Sequence, residues 1–345
     1  MPNAKQMTFE FTGRGGEYFR IWMVNTCLSI VTLGIYSAWA KVRRNQYIYR
    51  HTLLDGSGFD YHGDPKSILK GRIMAVVLFG GYSLISQFNQ QAGLVALVLI
   101  LLVMPWLLVR SLCFKLHNTS YRGLRFAFHG SVKGAFVNLL GLPILGLLTF
   151  GVLWPWVQRR MVGYVRENSA YGNLQFSFEA GTGQFYRAYA MIVPIVIFIF
   201  VLLMSSVYLL GSLGAIPIQE AKLTPVSSFA AALGTYLALF VLVMPYLEAR
   251  LQNLVWNHTA LNSHQFSADL RARDLLWIMS ANLFLIVLTL GFYKPYAEIR
   301  LLRYRLEHIH LLPHGDLDQF TAGLQSQASA AGEEISDMFD FDVSL

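Results

Sequence analysis

Three asparagines sit inside strongly apolar segments, each followed by Thr-x-Gly and an aromatic. Asn25 precedes Thr32-Leu33-Gly34 and Tyr36, Asn138 precedes Thr149-Phe150-Gly151 and Trp154, and Asn282 precedes Thr289-Leu290-Gly291 and Tyr293. An amide and a hydroxyl in apolar surroundings offer neutral donors and acceptors. Asn25, Asn138, Asn282, Thr32, Thr149 and Thr289 are therefore candidate binding groups for an uncharged or amphipathic molecule. The competing reading is hydrogen bonding between helices, worth about 1 kcal/mol or less per contact in a membrane.

A second pattern recurs five times: an aromatic, three residues, an arginine, then His or Asn eight residues on. The copies are Trp39–Arg43–His51, Trp106–Arg110–Asn118, Trp156–Arg160–Asn168, Tyr246–Arg250–His258 and Tyr296–Arg300–His308. Pro105, Pro155, Pro245 and Pro295 precede four of the aromatics, and Ala38 precedes the first. An aromatic and an arginine one turn apart share a helix face. Five such pairs suit a ring of guanidinium groups for lipid headgroups or phosphates. The plainer reading is snorkelling and cation–π packing at a membrane interface.

His51, His258 and His308 invite a metal or proton-relay role. Asn118 and Asn168 hold the same place, however, and Asn is a poor metal ligand. A polar cap at a helix C-terminus is the expected role. Glu248 and Glu298 lie two residues before Arg250 and Arg300, on another face, and are expected to pair with neighbouring repeats.

Walker A, G-x-S-x-G, H-E-x-x-H and paired-cysteine zinc motifs are absent from the sequence. Cys27 and Cys113 lack metal-ligand spacing. No catalytic residue, cofactor or metal is expected, and the chain is not expected to be an enzyme. The interiors of the two hairpins formed by the second and third and by the fifth and sixth segments contain no Asp, Glu, Lys, Arg or His, which argues against proton-coupled transport.

The elements that carry these residues follow from composition. The chain has 345 residues, 54% hydrophobic and 14% charged, against about 25% charged for a soluble domain. Its net charge of +7 comes mostly from basic residues flanking apolar runs. That is the habit of a cytoplasmic membrane surface and points to membrane lipids, not nucleic acid, as partners. Seven apolar segments can be marked, at about 19–38, 72–88, 94–109, 134–154, 188–211, 229–247 and 275–293. A helical span takes about 20 residues.

The expected fold is an all-α polytopic membrane protein with internal pseudo-repeats, residues 1–314 forming a repeat-built transmembrane domain. Short alternating stretches at Phe9–Phe11, Phe59–Tyr61, Phe126–Phe128, Phe176–Phe178 and Phe266–Ala268 are expected to be cytoplasmic strands that pair with one another. The first, fourth and seventh segments are expected to dip into the membrane and return, broken at Thr-x-Gly. The alternative is seven full crossings. Residues 315–345 are acidic, with no Lys or Arg, and read as a flexible tail. The tail could dock on the basic inner face or hold a protein partner.

The run Leu33 to Arg44, with His51-Thr52 and Phe59-Asp60-Tyr61, resembles the YjgN-type family of bacterial inner-membrane proteins, a domain of unknown function. The resemblance continues through the repeats to Gly332-Glu333-Glu334 and Leu345. It implies a multi-pass protein of the bacterial inner membrane and supplies no activity or site residues. The expected function is transport or handling of an uncharged or lipid-like substrate. The alternative is a scaffold that uses its basic face or acidic tail.

Overall fold

The structure is a computed structural model. It describes residues 6–194, 196–198, 201, 205 and 225–313. The tail at 315–345, with its proposed docking role, lies outside the described residues.

Ten short strands close into an antiparallel barrel: β1 (Met7–Phe11), β2 (Thr52–Leu54), β3 (Ser57–Tyr61), β4 (Thr119–Tyr121), β5 (Leu124–Phe128), β6 (Ser169–Tyr171), β7 (Leu174–Phe178), β8 (Thr259–Leu261), β9 (His264–Ala268) and β10 (Ile309–Leu312). Sequence neighbours pair around the ring, and β10 pairs with β1 to close it, with Thr8 opposite His310. This overturns the all-α fold class. The alternation marked β1, β3, β5, β7 and β9. Their partners escaped because three or four residues are too few to show a period of two.

Local chemistry explains the hairpins. β2–β3, β4–β5, β6–β7 and β8–β9 are joined by the two-residue turns Asp55-Gly56, Arg122-Gly123, Gly172-Asn173 and Asn262-Ser263. Asp55, Gly56, Arg122, Gly123, Gly172 and Asn262 all have positive φ, as tight turns that follow the strand twist require. The barrel interior is filled by side chains. Phe9, Leu54, Tyr121, Leu124, Tyr171, Leu261, Phe266, Ile309 and Leu311 form its buried core. Rings pack around it, with Phe59 to Tyr121 at 4.7 Å and Phe126 to Tyr171 at 4.9 Å. The Tyr171 hydroxyl donates to Tyr121 O at 2.9 Å and the Tyr121 hydroxyl to Leu54 O at 2.7 Å. Strands of three to five residues are also far short of the nine to eleven or so that cross a bilayer.

Between each odd strand and the next even strand the chain makes a helical arm. The first arm is Gly15–Val31 and Ser37–Arg50, and the second is Pro65–Phe88 and Gln90–His117. The third is Val132–Ala135, a π-helical stretch Phe136–Gly141, Leu142–Leu148, then Trp154–Glu167. The fourth opens with Thr182–Ala190 and closes with Pro225–Asn257, and the fifth is Ala272–Leu288 and Lys294–Glu307. In a closed antiparallel barrel with sequential order, all odd strands run one way. Their C-terminal ends therefore lie on one rim, where the even strands begin. All five arms leave from and return to that rim.

The arms differ in reach. The outward helix of the first arm has 17 residues, about 25 Å at 1.5 Å per residue. The second arm's helices have 24 and 28 residues, about 36 and 42 Å. Among the described residues these two are the helices long and apolar enough to cross a membrane.

Candidate functional site

The arms are anchored at the rim by the residue that ends each aromatic–arginine motif. His51, Asn118, Asn168, His258 and His308 each donate from the side chain to the carbonyl four residues back, at 2.7, 2.8, 2.7, 2.9 and 2.8 Å. Each main-chain carbonyl then accepts from the residue after the neighbouring odd strand: Thr12, His62, His129, Glu179 and Asp269. This is a capping role that ties helix to barrel. Among the described residues no cluster of His, Cys, Asp and Glu is suited to a metal.

Because every arginine stands eight residues before its cap, all five lie at one level, about 12 Å above the rim along the helix. The aromatics lie twelve residues before, about 18 Å above it. Arg43, Arg110, Arg160, Arg250 and Arg300 are all exposed, and the preceding Ala38, Pro105, Pro155, Pro245 and Pro295 are all buried. Arg110 lies over Trp106 at 5.7 Å and Arg250 over Tyr246 at 5.6 Å. Trp39 and Trp156 are half-buried and Tyr296 is exposed. The arrangement is an arginine belt below an aromatic belt, facing outward. It is not an inward ring around one ligand.

The same proline serves two lengths of arm. Pro155 and Pro295 lie in the first turn of their helices, where a missing N–H costs nothing. Pro105 and Pro245 lie inside continuous helices, which run on beyond the aromatic belt.

The three short arms end in matching turns. Thr32, Thr149 and Thr289 donate to the carbonyls of Leu28, Leu145 and Leu285 at 2.7, 3.1 and 2.7 Å. Their hydroxyls also accept from the N–H of Tyr36, Leu153 and Tyr293. All three hydroxyls thus brace the turn. Leu33, Phe150 and Leu290 follow with φ of 50°, 52° and 51°. The next glycine N–H reaches back five residues, as Gly34 does to Ser29 O at 2.7 Å, the bond of a Schellman helix end. Left-handed backbone costs a non-glycine residue about 1–2 kcal/mol. Yet Leu33 is 94% exposed, Phe150 99% and Leu290 90%.

The asparagines do not converge. Asn25 Nδ2 donates to Ala40 O at 3.5 Å and Asn282 Nδ2 to Ala297 O at 3.2 Å, each within its own arm. Asn138, inside the π-helical stretch, donates to Gly134 O at 2.9 Å. Counting back from Thr149 places Leu142, not Asn138, at the equivalent position. Asn25 and Asn282 are buried, and in both the Oδ1 has no hydrogen-bond partner.

Two grooves open between arms. One, of about 410 Å³, is apolar and lies between the third arm's turn at Gly151 and Tyr189 and Val193 of the fourth. The other, of about 450 Å³, lies against the first arm and includes Asn25, Ser37, Lys41, Arg44 and Arg72. Lys41, Arg44 and Arg72 fall outside the repeated spacing and meet only when two arms pack.

Comparison with known proteins gives relatives named as inner membrane protein YjgN. The Salmonella typhimurium protein is 32% identical over 139 residues, 40% of this chain and 35% of that protein. The Escherichia coli K12 protein is 30% identical over 147 residues, 42% of this chain and 37% of that protein. The matched region thus spans just over a third of either relative's length. No solved structure matches the chain. A family model described as "Bacterial protein of unknown function (DUF898)" matches residues 6–338, nearly the whole chain, and the chain belongs to that family.

Proposed function

We propose that this is a multi-pass inner-membrane protein that handles lipid-like amphiphiles at one leaflet, with its barrel in the cytoplasm. The names of its relatives support the membrane, and the basic belt on the barrel side supports the orientation. One observation carries the reading. Three equivalent turns each hold a large apolar side chain, fully outward, in a backbone conformation suited to glycine. Strained residues of this kind mark function, and a bilayer gives such side chains a partner. The short arms then penetrate only past the aromatic belt and perturb a single leaflet, while the second and fourth arms reach further.

An inverted-repeat transporter needs successive units of opposite orientation. Arms that share one rim argue against it. The alternative, a scaffold that presents its basic face to a partner, gives no reason for the three apolar turns.

The test has two parts. In a Cys27→Ser, Cys113→Ser background, single cysteines at Asp55 and Asn173 are labelled in cells with an impermeant thiol reagent. Both should react only after permeabilisation. Seven full crossings would put them on opposite sides. Purified protein is then assayed for retained phospholipid after exhaustive detergent exchange, and a complete absence of retained lipid would overturn the lipid-handling reading.

A further inference from the structure

The groove against the first arm is lined by cations at places where the fifth arm carries none. Asn25 and Asn282 occupy equivalent places, each seven residues before its threonine. They are 8% and 5% exposed, and both leave Oδ1 without a donor. A buried acceptor left without a donor is unfavourable. In the fifth arm the residue two beyond the aromatic is Glu298, and Leu301 follows three later. In the first arm the same places are Lys41 and Arg44, and Arg72 of the second arm joins them. Arg72 also donates to the Ser37 hydroxyl, which holds its guanidinium at the groove. Lys41 is exposed and makes no ion pair among the described residues. Lys41 and Arg44 stand ten and seven residues before His51, about 15 and 10 Å above the rim. That is the level of the arginine and aromatic belts.

We propose that this groove binds the glycerol-phosphate group of an anionic phospholipid. Lys41 and Arg72 hold the phosphate through charge-assisted hydrogen bonds, beside an Arg44 guanidinium already paired with Glu298. Rotation of the Asn25 amide, which lines the groove, brings its Oδ1 out of its buried position to accept from a glycerol hydroxyl. The acyl chains run along Trp22 and the exposed apolar surface toward Leu33. The assignment rests on the lipid-handling reading and adds the ligand's chemistry and its place.

Full-length protein, delipidated in neutral detergent, is titrated with micelles carrying phosphatidylglycerol, phosphatidic acid or phosphatidylcholine, and bound lipid is measured by native mass spectrometry. Wild type should prefer phosphatidylglycerol to phosphatidylcholine. Lys41→Ala and Arg72→Ala should each lower phosphatidylglycerol binding about tenfold, in line with the loss of one charged hydrogen bond, and Lys41→Arg should restore it. Asn25→Leu should weaken phosphatidylglycerol more than phosphatidic acid, which lacks the headgroup glycerol. Asn282→Leu should change neither.

Unaltered binding in Lys41→Ala, an exposed position whose loss leaves the packing intact, would overturn the groove assignment and leave lipid handling standing. Failure of wild type to bind any of the lipids would sink both. Binding of sn-glycerol 3-phosphate as tightly as the lipid would show a soluble phosphate ester to be the ligand and overturn the lipid assignment.

Discussion

Arg44 of the first arm forms an ion pair with Glu298 of the fifth, and the Tyr18 hydroxyl donates to the same carboxylate at 3.0 Å. The two charged residues are 254 positions apart in sequence. A parallel contact joins Glu248 of the fourth arm to Arg305 of the fifth. Both glutamates lie two residues after a motif aromatic, and both pair with a neighbouring arm, as their spacing suggested. The fourth, fifth and first arms are thereby stapled in sequence above the closing strands.

Part-exposed ion pairs contribute about 0.2–1 kcal/mol. A double-mutant cycle of Arg44→Ala and Glu298→Ala, followed by unfolding in detergent, should give a coupling at the upper end of that range. Independent effects would mean that the pair does not hold the arms.

Tyr18 gives an alkaline signature. Burial first, and then the Glu298 carboxylate, push its hydroxyl from 10.0 up to about 12. The folded state keeps the proton longer than the unfolded state, so the stabilisation is intact below pH 10 and is lost as pH rises through 12. After allowance for solvent screening the loss is on the order of 1 kcal/mol. Tyr18→Phe should lack this component in a pH series of unfolding midpoints.

The apolar turns separate stability from insertion. Leu33→Gly should relieve left-handed strain and raise detergent-phase stability by up to about 1 kcal/mol. Leu33→Asp, combined with Phe150→Asp and Leu290→Asp, should leave the barrel folded and reduce fluorescence quenching of a probe at Gly34 by bromolipids. Equal quenching in both proteins would remove these turns from the bilayer.

Barrel closure can be trapped covalently. Thr8 and His310 face each other across β1 and β10, and directly opposed residues in such a pair lie about 4.5–5.5 Å apart at Cα, within disulfide range. Thr8→Cys with His310→Cys, in the Cys27→Ser, Cys113→Ser background, should oxidise to a species of altered gel mobility. A protein that folds normally but never cross-links would mean an open barrel.

Phe9 lies in the barrel core and is 8% exposed. Phe9→Ala should cost about 3–5 kcal/mol, read as a lower unfolding midpoint. It should also weaken the Thr8–His310 cross-link, because β1 is held by that side chain.

Much of the arms' outward surface was local and therefore legible in the chain. The eight-residue step from arginine to cap sets a height on any helix, so the belt follows from spacing and helical rise. Thr-x-Gly marked the turns for the same reason: a hydroxyl that bonds one turn back and a glycine that reaches five residues back are neighbours in sequence. Other features depended on distant packing. β2, β4, β6 and β8 have three residues each, too few to carry a period, and they exist as strands only because partners on both sides supply their hydrogen bonds. β1 and β10 meet across 302 positions, a pairing no local pattern encodes. Once the ring closes, strand direction alone sends all five arms from one rim. That closure decided what spacing left open: whether the arms alternate or stand together, and which carboxylate meets Arg44. Both answers depend on non-local backbone pairing, whose free energy appears only when the chain ends are joined.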